Sequence, residues 1–185
     1  MSRSSLTAAF LTVATAAAAQ AQQTWVFEPG QSLVSVEVGP KAARISAASP
    51  SLNGQLVEQG GGLVKAALRL DLASFATGAR AHDALLREAA GGADAAPILF
   101  EGTAPASGTD GKLHFTGTLT VRGVGHPFEL TVATVHMGSA LYGHVSFTLH
   151  LRNFGFALPA ALPDEAHVDI DAGLRPERGA LASRG

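Results

Sequence analysis

The chain has 185 residues, of which 46% are hydrophobic and 15% are charged, and its formal net charge is −2. The length favours a single domain, and a near-neutral chain without a basic stripe does not fit a nucleic-acid binder. It contains no cysteine, which excludes disulfides, a thiolate nucleophile, a cysteine-ligated zinc site and a lipidated cysteine anchor. Its 21 glycines indicate many turns rather than long helices.

Residues 1–21 have the three-part pattern of a secretory signal peptide. Arg3 precedes an apolar stretch over residues 6–19, and Ala19-Gln20-Ala21 forms a small-residue cleavage site. The stretch is too short for a convincing membrane span. The alternative is an Ala-rich amphipathic helix that stays attached, but its polar residues occur only at its end. We therefore expect cleavage, a periplasmic or secreted protein, and no stable membrane anchor.

From Gln22 onward the chain is dominated by period-two alternation, which places apolar residues on one strand face and polar residues on the other. The clearest runs begin near Val34, Val64, Ile98, Leu113, Phe128, Val145 and Val168. One-sided strands of this kind are typical of antiparallel sheets with one solvated face. Roughly eight of them predict an all-β, eight-stranded antiparallel barrel. A two-sheet sandwich is the alternative, and periodicity does not separate the two.

Two further segments predict a turn and a short helix between strands of the sheet. Arg122-Gly123-Val124-Gly125 lies between two alternating runs and predicts a tight hairpin. Residues 82–90 have apolar residues at helical spacing and are followed by Gly91-Gly92, so we expect one short helix across an end of the sheet. The barrel domain is predicted over residues 22–175, and residues 176–185 are expected to form a frayed, polar tail.

Histidines and carboxylates are the candidates for chemistry. The chain has seven histidines but no His-x-His or His-x-x-x-His pattern. His144 and His150 would lie roughly 20 Å apart along one strand, too far for a shared ion. Asp169 and Asp171 alternate with apolar residues and are expected to face water. We therefore predict solvated histidines, no metal site and no catalytic residue.

Asp83 and Arg122 are predicted to have structural roles. His82-Asp83 could form half of a catalytic dyad, but no activated nucleophile completes it. Asp83 is instead expected to cap the short helix by accepting backbone N–H bonds. Arg122 could contact Asp83 or the head group of a ligand, and a plain surface ion pair is the simpler expectation.

The inward-facing apolar residues are the candidate ligand site. From alternation alone, packed core is the simpler interpretation, and the alternative is an apolar channel. The channel candidates are Val36, Leu68, Leu70, Phe100, Phe115, Leu119, Phe128, Val132, Phe147, Leu149 and Ile170. Room for a ligand would arise at small residues such as Ala66, Gly117 and Ala172.

Four sequence blocks occur in order along the chain, and together they carry a family resemblance. They are Trp25-Val26-Phe27-Glu28-Pro29 with Gln31-Ser32, Thr77-Gly78 with His82-Asp83 and Leu86, Pro97-Ile98-Leu99-Phe100-Glu101, and Gly117-Thr118-Leu119-Thr120-Val121-Arg122-Gly123-Val124 with Pro127. In this order they resemble the YceI-like family of exported, lipocalin-like, polyisoprenoid-binding proteins, over about residues 25–174.

The chain also departs from the family pattern. Where the family usually has aromatic residues after the helix, this chain has Ala89-Ala90-Gly91-Gly92-Ala93-Asp94. The late Arg-x-Asp-Phe-Gly motif appears as Leu151-Arg152-Asn153-Phe154-Gly155, and Leu85 replaces a histidine often found on the helix. These changes concern the mouth of the pocket and therefore the choice of ligand.

The resemblance implies an eight-stranded lipocalin-like barrel with a long apolar channel that binds an isoprenoid quinone or a polyprenyl chain. It reverses the interpretation of the inward residues from core to channel. We therefore expect a non-enzymatic periplasmic carrier or reservoir whose partner is an apolar small molecule. No cofactor is expected beyond a bound isoprenoid lipid or quinone. The oligomeric state stays open, a homodimer included. The alternatives are a ligand-free stress-related or interaction module with a filled core, and a metal-assisted enzyme.

Overall fold

A computed structural model describes residues 22–41, 44–59, 62–92, 95–106, 109–158 and 163–177. The predicted signal peptide, residues 1–21, and residues 178–185 of the predicted tail lie outside the described residues. The described strands are β1 (Gln23–Val38), β2 (Ile45–Ser49), β3 (Asn53–Gln59), β4 (Leu63–Leu70), β5 (Ile98–Pro105), β6 (Lys112–Val121), β7 (Val124–Met137), β8 (Ala140–His150) and β9 (Glu165–Pro176). β9 thus reaches Pro176, one residue beyond the predicted domain boundary.

The strands form one antiparallel sheet that closes on itself. The strand order is β2-β1-β3-β4-β5-β6-β7-β8-β9, and β1 also pairs with β9. Two strands share one edge of β1, because β3 pairs with residues 23–26 and β2 with residues 34–38. The closed ring therefore contains eight strands, with β2 added beside it. This confirms the predicted barrel and excludes the sandwich.

Burial follows the predicted alternation. In β6, Phe115 and Leu119 are buried, whereas His114, Thr116 and Thr118 are exposed. The same pattern in the other strands directs the apolar residues into the ring, where burial of a large side chain is worth about 1.5–3 kcal/mol. The interior of the barrel is therefore the apolar compartment predicted from the sequence.

The β6–β7 hairpin has the predicted tight turn at Arg122-Gly123. Both residues have positive φ, 53° and 79°, as a two-residue type I′ turn requires, and Val121 pairs with Val124 around them. Gly123 takes this conformation without steric cost. Arg122 is one of two described non-glycine residues with positive φ. This backbone conformation fixes the direction in which its side chain leaves the hairpin.

Glycine also permits the closest approach between β5 and β6. Gly117 lies opposite Gly102, and a Cβ atom on Gly117 would stand 2.1 Å from the carbonyl oxygen of Glu101 and 2.5 Å from the Cα of Gly102. No side chain fits there. Gly117 lines an open space of about 590 Å³ bordered by β3, β4, β5 and β6, and that it leaves room for a ligand remains a prediction.

The predicted helix is α1 (Arg80–Ala90), which starts two residues earlier than expected. It ends at Gly91, whose φ of 112° lets its N–H donate to the carbonyls of Arg87 and Glu88. α1 connects β4 to β5, so it lies at the end of the barrel where β4 ends, which we call the helix end. In the described part of the chain, no helix is both long and apolar enough to cross a membrane.

Asp83 does not cap α1, which corrects the prediction. The residue before the helix is Ala79, which offers no side-chain cap, and Asp83 lies in the first turn. Its Oδ1 instead accepts hydrogen bonds from the Thr77 backbone N–H at 2.6 Å and the Thr77 hydroxyl at 2.7 Å. The hydrogen bond from the Thr77 hydroxyl lowers the pKa of Asp83 most, and the hydrogen bond from the Thr77 backbone N–H lowers it further, so the pKa lies below its ordinary value of 3.8. Asp83 therefore ties the preceding loop to the helix.

Three serine hydroxyls anchor the start of the β4–β5 connection. Ser74, in the short 3-10 turn Leu72–Ser74, lies 2.5 Å from Ser49 Oγ and 2.6 Å from Ser51 Oγ. Ser49 is fully buried at the end of β2. α1 packs against this same turn. The connection that carries the helix is thus fastened to the barrel wall by hydrogen bonds.

A Cβ atom at Gly117 should destabilise the barrel strongly. We expect Gly117→Ala to lower the free energy of unfolding by about 1–3 kcal/mol or more. The added carbon would overlap backbone atoms, which cannot move aside as flexible side chains can. Gly125→Ala is the control, because there the added carbon would meet only Thr side chains, at 3.3 and 3.4 Å. Urea denaturation of both variants tests this, and equal stabilities would contradict the assigned cause.

Removal of the Asp83 carboxylate should destabilise the protein in a pH-dependent way. Because the pKa is lowered in the folded state, the carboxylate stabilises the fold above about pH 4 and stops doing so as the pH falls through the folded value. Asp83→Ala should therefore be less stable than the wild type at pH 7, with a smaller difference at pH 3. Denaturation at both pH values measures this. Glu88→Ala, on the same helix, is the control, and a pH-independent difference would refute the role of the charge.

Candidate functional site: the apolar lumen

Three cavities inside the described part of the barrel lie in a row, and a more open space of about 590 Å³ is bordered by β3 to β6. A central cavity has a volume of about 60 Å³, a second of about 80 Å³ lies towards the helix end, and a third of about 100 Å³ lies towards the opposite end. We call the opposite end the Trp25 end, after the tryptophan that lines its cavity. The central and helix-end cavities share Leu52, Leu68, Phe100, Leu130 and Ile170. The central and Trp25-end cavities share Leu56, Leu113, Thr134 and Leu141.

The predicted channel residues lie almost entirely in this row of cavities. Those that line the central or helix-end cavity are Leu68, Leu70, Phe100, Phe115, Leu119, Phe128, Val132, Phe147, Leu149 and Ile170. Val36 is the exception, because it packs against a buried cluster around Val34 and Val168 instead of lining a cavity. That these residues contact a ligand remains a prediction.

Other lining residues were missing from the candidate set. Leu130, Val145 and Leu174 line the central cavity, and the same alternation would have found them. Leu52 lines both the central and the helix-end cavity, yet it lies between β2 and β3. Because Leu52 belongs to no strand, strand alternation could not predict that it faces the lumen, and only the folded structure shows its position.

Aromatic side chains divide the lumen. Phe128 and Phe147 meet edge to face at 5.2 Å between ring centroids, and Phe100 and Phe115 do so at 6.4 Å. An apolar cavity of about 150 Å³ holds one benzene molecule. Each of these three cavities is smaller than such a benzene site. The lumen is a row of small apolar cavities, which corrects the expectation of an open channel. It is also not filled from end to end.

At the helix end, the β6–β7 hairpin holds the segment that follows β8. The Arg122 guanidinium donates a hydrogen bond to the Gly155 carbonyl at 2.8 Å and stacks 5.1 Å above the Phe156 ring. His126 Nε2 lies 2.9 Å from the Asn153 carbonyl oxygen, so its N–H can donate to that carbonyl. Among the described residues, Arg122 forms neither the surface ion pair that was the simpler expectation nor the alternative contact with Asp83. Arg122 instead fixes the segment that carries the altered late motif.

Phe154 shows how closely this segment joins the barrel. Its ring is 3% exposed, belongs to the main buried cluster and meets the His126 ring edge to face at 5.1 Å. Phe156 packs against the same cluster. The two aromatic residues thus act as apolar anchors, and the polar contacts of Arg122 and His126 hold the backbone between them.

The Trp25 end has a different character. Glu58 and His136 line its cavity together with Trp25, whose ring lies 5.6 Å from the His136 ring in an edge-to-face arrangement. Both ionisable side chains occupy positions that the strand alternation directs into the barrel. The lumen therefore runs from a polar rim at the Trp25 end to an interior lined by hydrocarbon side chains.

The remaining histidine and aspartate candidates lie outside the lumen. His144 Nδ1 is 2.8 Å from Asp171 Oδ1, His167 Nε2 is 3.3 Å from Asp169 Oδ2, and all four side chains are partly or largely exposed. This fits the expectation that the two aspartates face water. Among the described residues, no three His, Asp or Glu side chains converge on a point that could hold a metal ion.

Comparison with known proteins identifies the family of this barrel. The YceI-like domain profile matches residues 25–174. No curated protein matches the sequence. Among solved structures, the chain is similar to BcnA from Burkholderia cenocepacia, with a TM-score of 0.68 and 17% identity over 80% of this chain and 98% of that chain.

Two further structures share the fold. A polyisoprenoid-binding domain from Saccharophagus degradans has a TM-score of 0.60 and 14% identity over 83% of this chain and 98% of that one. A YceI protein from Campylobacter jejuni has a TM-score of 0.62 and 15% identity, with coverage of 76% and 90%. The profile match spans most of the sequence, and the closed barrel agrees with it. This chain belongs to the YceI-like family.

Proposed function

We propose that the barrel binds an isoprenoid-type apolar molecule, a polyprenyl chain or an isoprenoid quinone, inside its lumen. In this proposal the protein is a periplasmic carrier or reservoir and catalyses no reaction on its ligand. The observation that carries the proposal is the row of three cavities with shared, mainly apolar lining. The similar S. degradans domain, which is described as polyisoprenoid-binding, supports it.

The lining favours a hydrocarbon chain over a polar ligand. Thr134 supplies the one side-chain hydroxyl among the described residues that line the central cavity. A polar group placed there would lose its hydrogen bonds to water without replacement, at a cost of about 2–7 kcal/mol. A hydrocarbon chain loses none, and it gains about 25 cal/mol for each Å² of apolar area removed from water. Binding energy would therefore come from the tail of the ligand.

A long chain fits only if side chains move. The central and helix-end cavities meet at Phe100 and Leu130, so rotation of these side chains would join the two spaces. The cost of the rearrangement lowers the affinity, since only part of the gross binding energy remains. The proposal therefore requires a lumen that widens on binding while the hydrogen-bonded ring stays closed.

The second candidate is an interaction module with a filled core. The observation that favours it is the small volume of each cavity, below that needed for benzene. On this alternative the gaps are ordinary packing defects and the outer surface carries the function. The two candidates differ in one measurable respect, which is whether purified protein takes up an apolar chain.

A variant that fills the central cavity should weaken uptake. Ala172 lines this cavity and lies opposite Gly143 in the sheet. We expect Ala172→Leu to weaken binding of geranylgeraniol, a C20 prenol, by at least about tenfold, which corresponds to about 1.4 kcal/mol. Competition with a fluorescent fatty acid measures the affinity, and native mass spectrometry detects co-purified lipid.

The matched control is Ala133→Leu, which makes the same change on the exposed outer face of β7. It should bind like the wild type, and thermal denaturation should show both variants folded. If Ala172→Leu binds as tightly as Ala133→Leu, the ligand does not occupy the central cavity. If the wild-type protein binds no apolar chain at all, the filled-core alternative is correct.

A further inference from the structure

Two ionisable side chains break the apolar lining of the barrel at the Trp25 end. Glu58 follows Leu56 by two residues in β3, and His136 follows Thr134 by two residues in β7, so both continue inward-facing rows. Leu56 and Thr134 line the central cavity, and all four residues line the Trp25-end cavity. The polar pair therefore stands at one end of the apolar row, where a bound chain would terminate.

Glu58 is half-buried and His136 is exposed at the rim, so both are open to water and to a ligand. Among the described residues, Glu58 and His136 take part in no side-chain hydrogen bond or ion pair, whereas His144, His150 and His167 each lie near an aspartate. The one described ring contact of His136 is with Trp25. Both polar side chains thus keep their hydrogen-bonding capacity for water or for a ligand.

The charge of this cavity restricts the ligand chemistry. No lysine or arginine is among its described lining residues, and Glu58 supplies a carboxylate. A phosphate or diphosphate would meet this carboxylate at short range without a compensating cation, which is unfavourable. A hydroxyl group can donate to the carboxylate and accept from the imidazole N–H, so it satisfies both side chains.

We infer that the Trp25 end is a head-group site for an apolar ligand with a hydroxyl group, such as a prenol or a quinol, and that it disfavours phosphorylated isoprenoids. This inference rests on the proposed function. The hydroxyl group lies between Glu58 and His136, and the chain extends through the central cavity towards the helix end. Trp25 covers the first carbons of the chain, because it lines the same cavity.

Trp25 provides a direct test, since it is the single tryptophan of the chain. Purified exported protein is titrated with three C20 probes that differ at one end: geranylgeraniol, geranylgeranyl diphosphate and the hydrocarbon phytane. We expect geranylgeraniol to shift the tryptophan emission and to bind at least about tenfold more tightly than either of the other probes. Competition with a fluorescent fatty acid measures all three affinities independently of Trp25.

Two variants test whether Glu58 and His136 cause the preference for a ligand with a hydroxyl group. Glu58→Gln keeps the size of the side chain and removes its charge, so it should reduce the discrimination against the diphosphate by about tenfold. His136→Phe keeps an aromatic ring beside Trp25 and removes the N–H, so its affinity for geranylgeraniol should fall towards that for phytane. Glu101→Gln, on the exposed outer face of β5, is the control and should leave all three affinities unchanged.

The outcomes separate this inference from the proposed function. If all three probes bind equally, the lumen binds apolar chains and the head-group site is refuted. Tighter binding of the diphosphate also refutes it, as does binding that leaves the Trp25 emission unchanged, because the polar end then lies elsewhere. If no probe binds to the wild-type protein, the proposed function fails and the inference fails with it.

Discussion

The pairing of β1 with β9 closes the sheet, and the interior exists because of this closure. β1 is the longest described strand, with 16 residues, and it pairs with β9 on one edge and with β3 and β2 on the other. The pairing with β9 shifts register between Phe27 and Ser32, where the strand bends. Closure pairs the backbones of β1 and β9 and directs the apolar rows of the ring into one enclosed space.

Stability of the fold and room for a ligand place conflicting demands on the side chains inside the barrel. Packing stabilises the fold, and Phe100, Phe115 and Leu119 are buried accordingly. A carrier also needs space, which arises where small residues such as Ala66 and Ala172 face the lumen. Along the row of three cavities packing dominates, because each of the three is smaller than a benzene-sized site. Ligand uptake would then use the mobility of side chains and leave the hydrogen-bonded wall intact.

The two ends of the lumen differ in construction. At the helix end, α1 and the segment after β8 are fastened by serine hydroxyls, by Arg122 and by His126. At the Trp25 end, β7 and β8 are joined by a short turn, and the rim carries Glu58 and His136. In the proposed function, the fastened end would limit access to the lumen, and the polar rim would receive the polar group of the ligand.

Strand alternation left the barrel and the sandwich open, and the pairing of β1 with β9 decides between them. The sequence by itself determined the β class, a set of roughly eight one-sided strands, the hairpin at Arg122-Gly123 and the helix that ends at Gly91. Each of these depends on local chemistry: strand alternation, turn residues with positive φ, and helix-ending glycine. Alternation also selected eleven inward-facing candidates, of which ten line the cavities, although their interpretation as a channel came from the family resemblance. Val36 faces inward but packs away from the cavities, a distinction that depends on neighbours distant in sequence.

Only the tertiary structure decided how full the barrel is and which polar groups meet across it. The cavity volumes depend on side chains contributed by opposite walls, and Leu52 joins them from outside any strand. Arg122 contacts Gly155 instead of Asp83, and Glu58 and His136 share a cavity although 78 positions separate them in the chain. Periodicity shows which face a residue occupies. It does not show which residues lie opposite, because that depends on strand order, register and the coiling of the closed sheet.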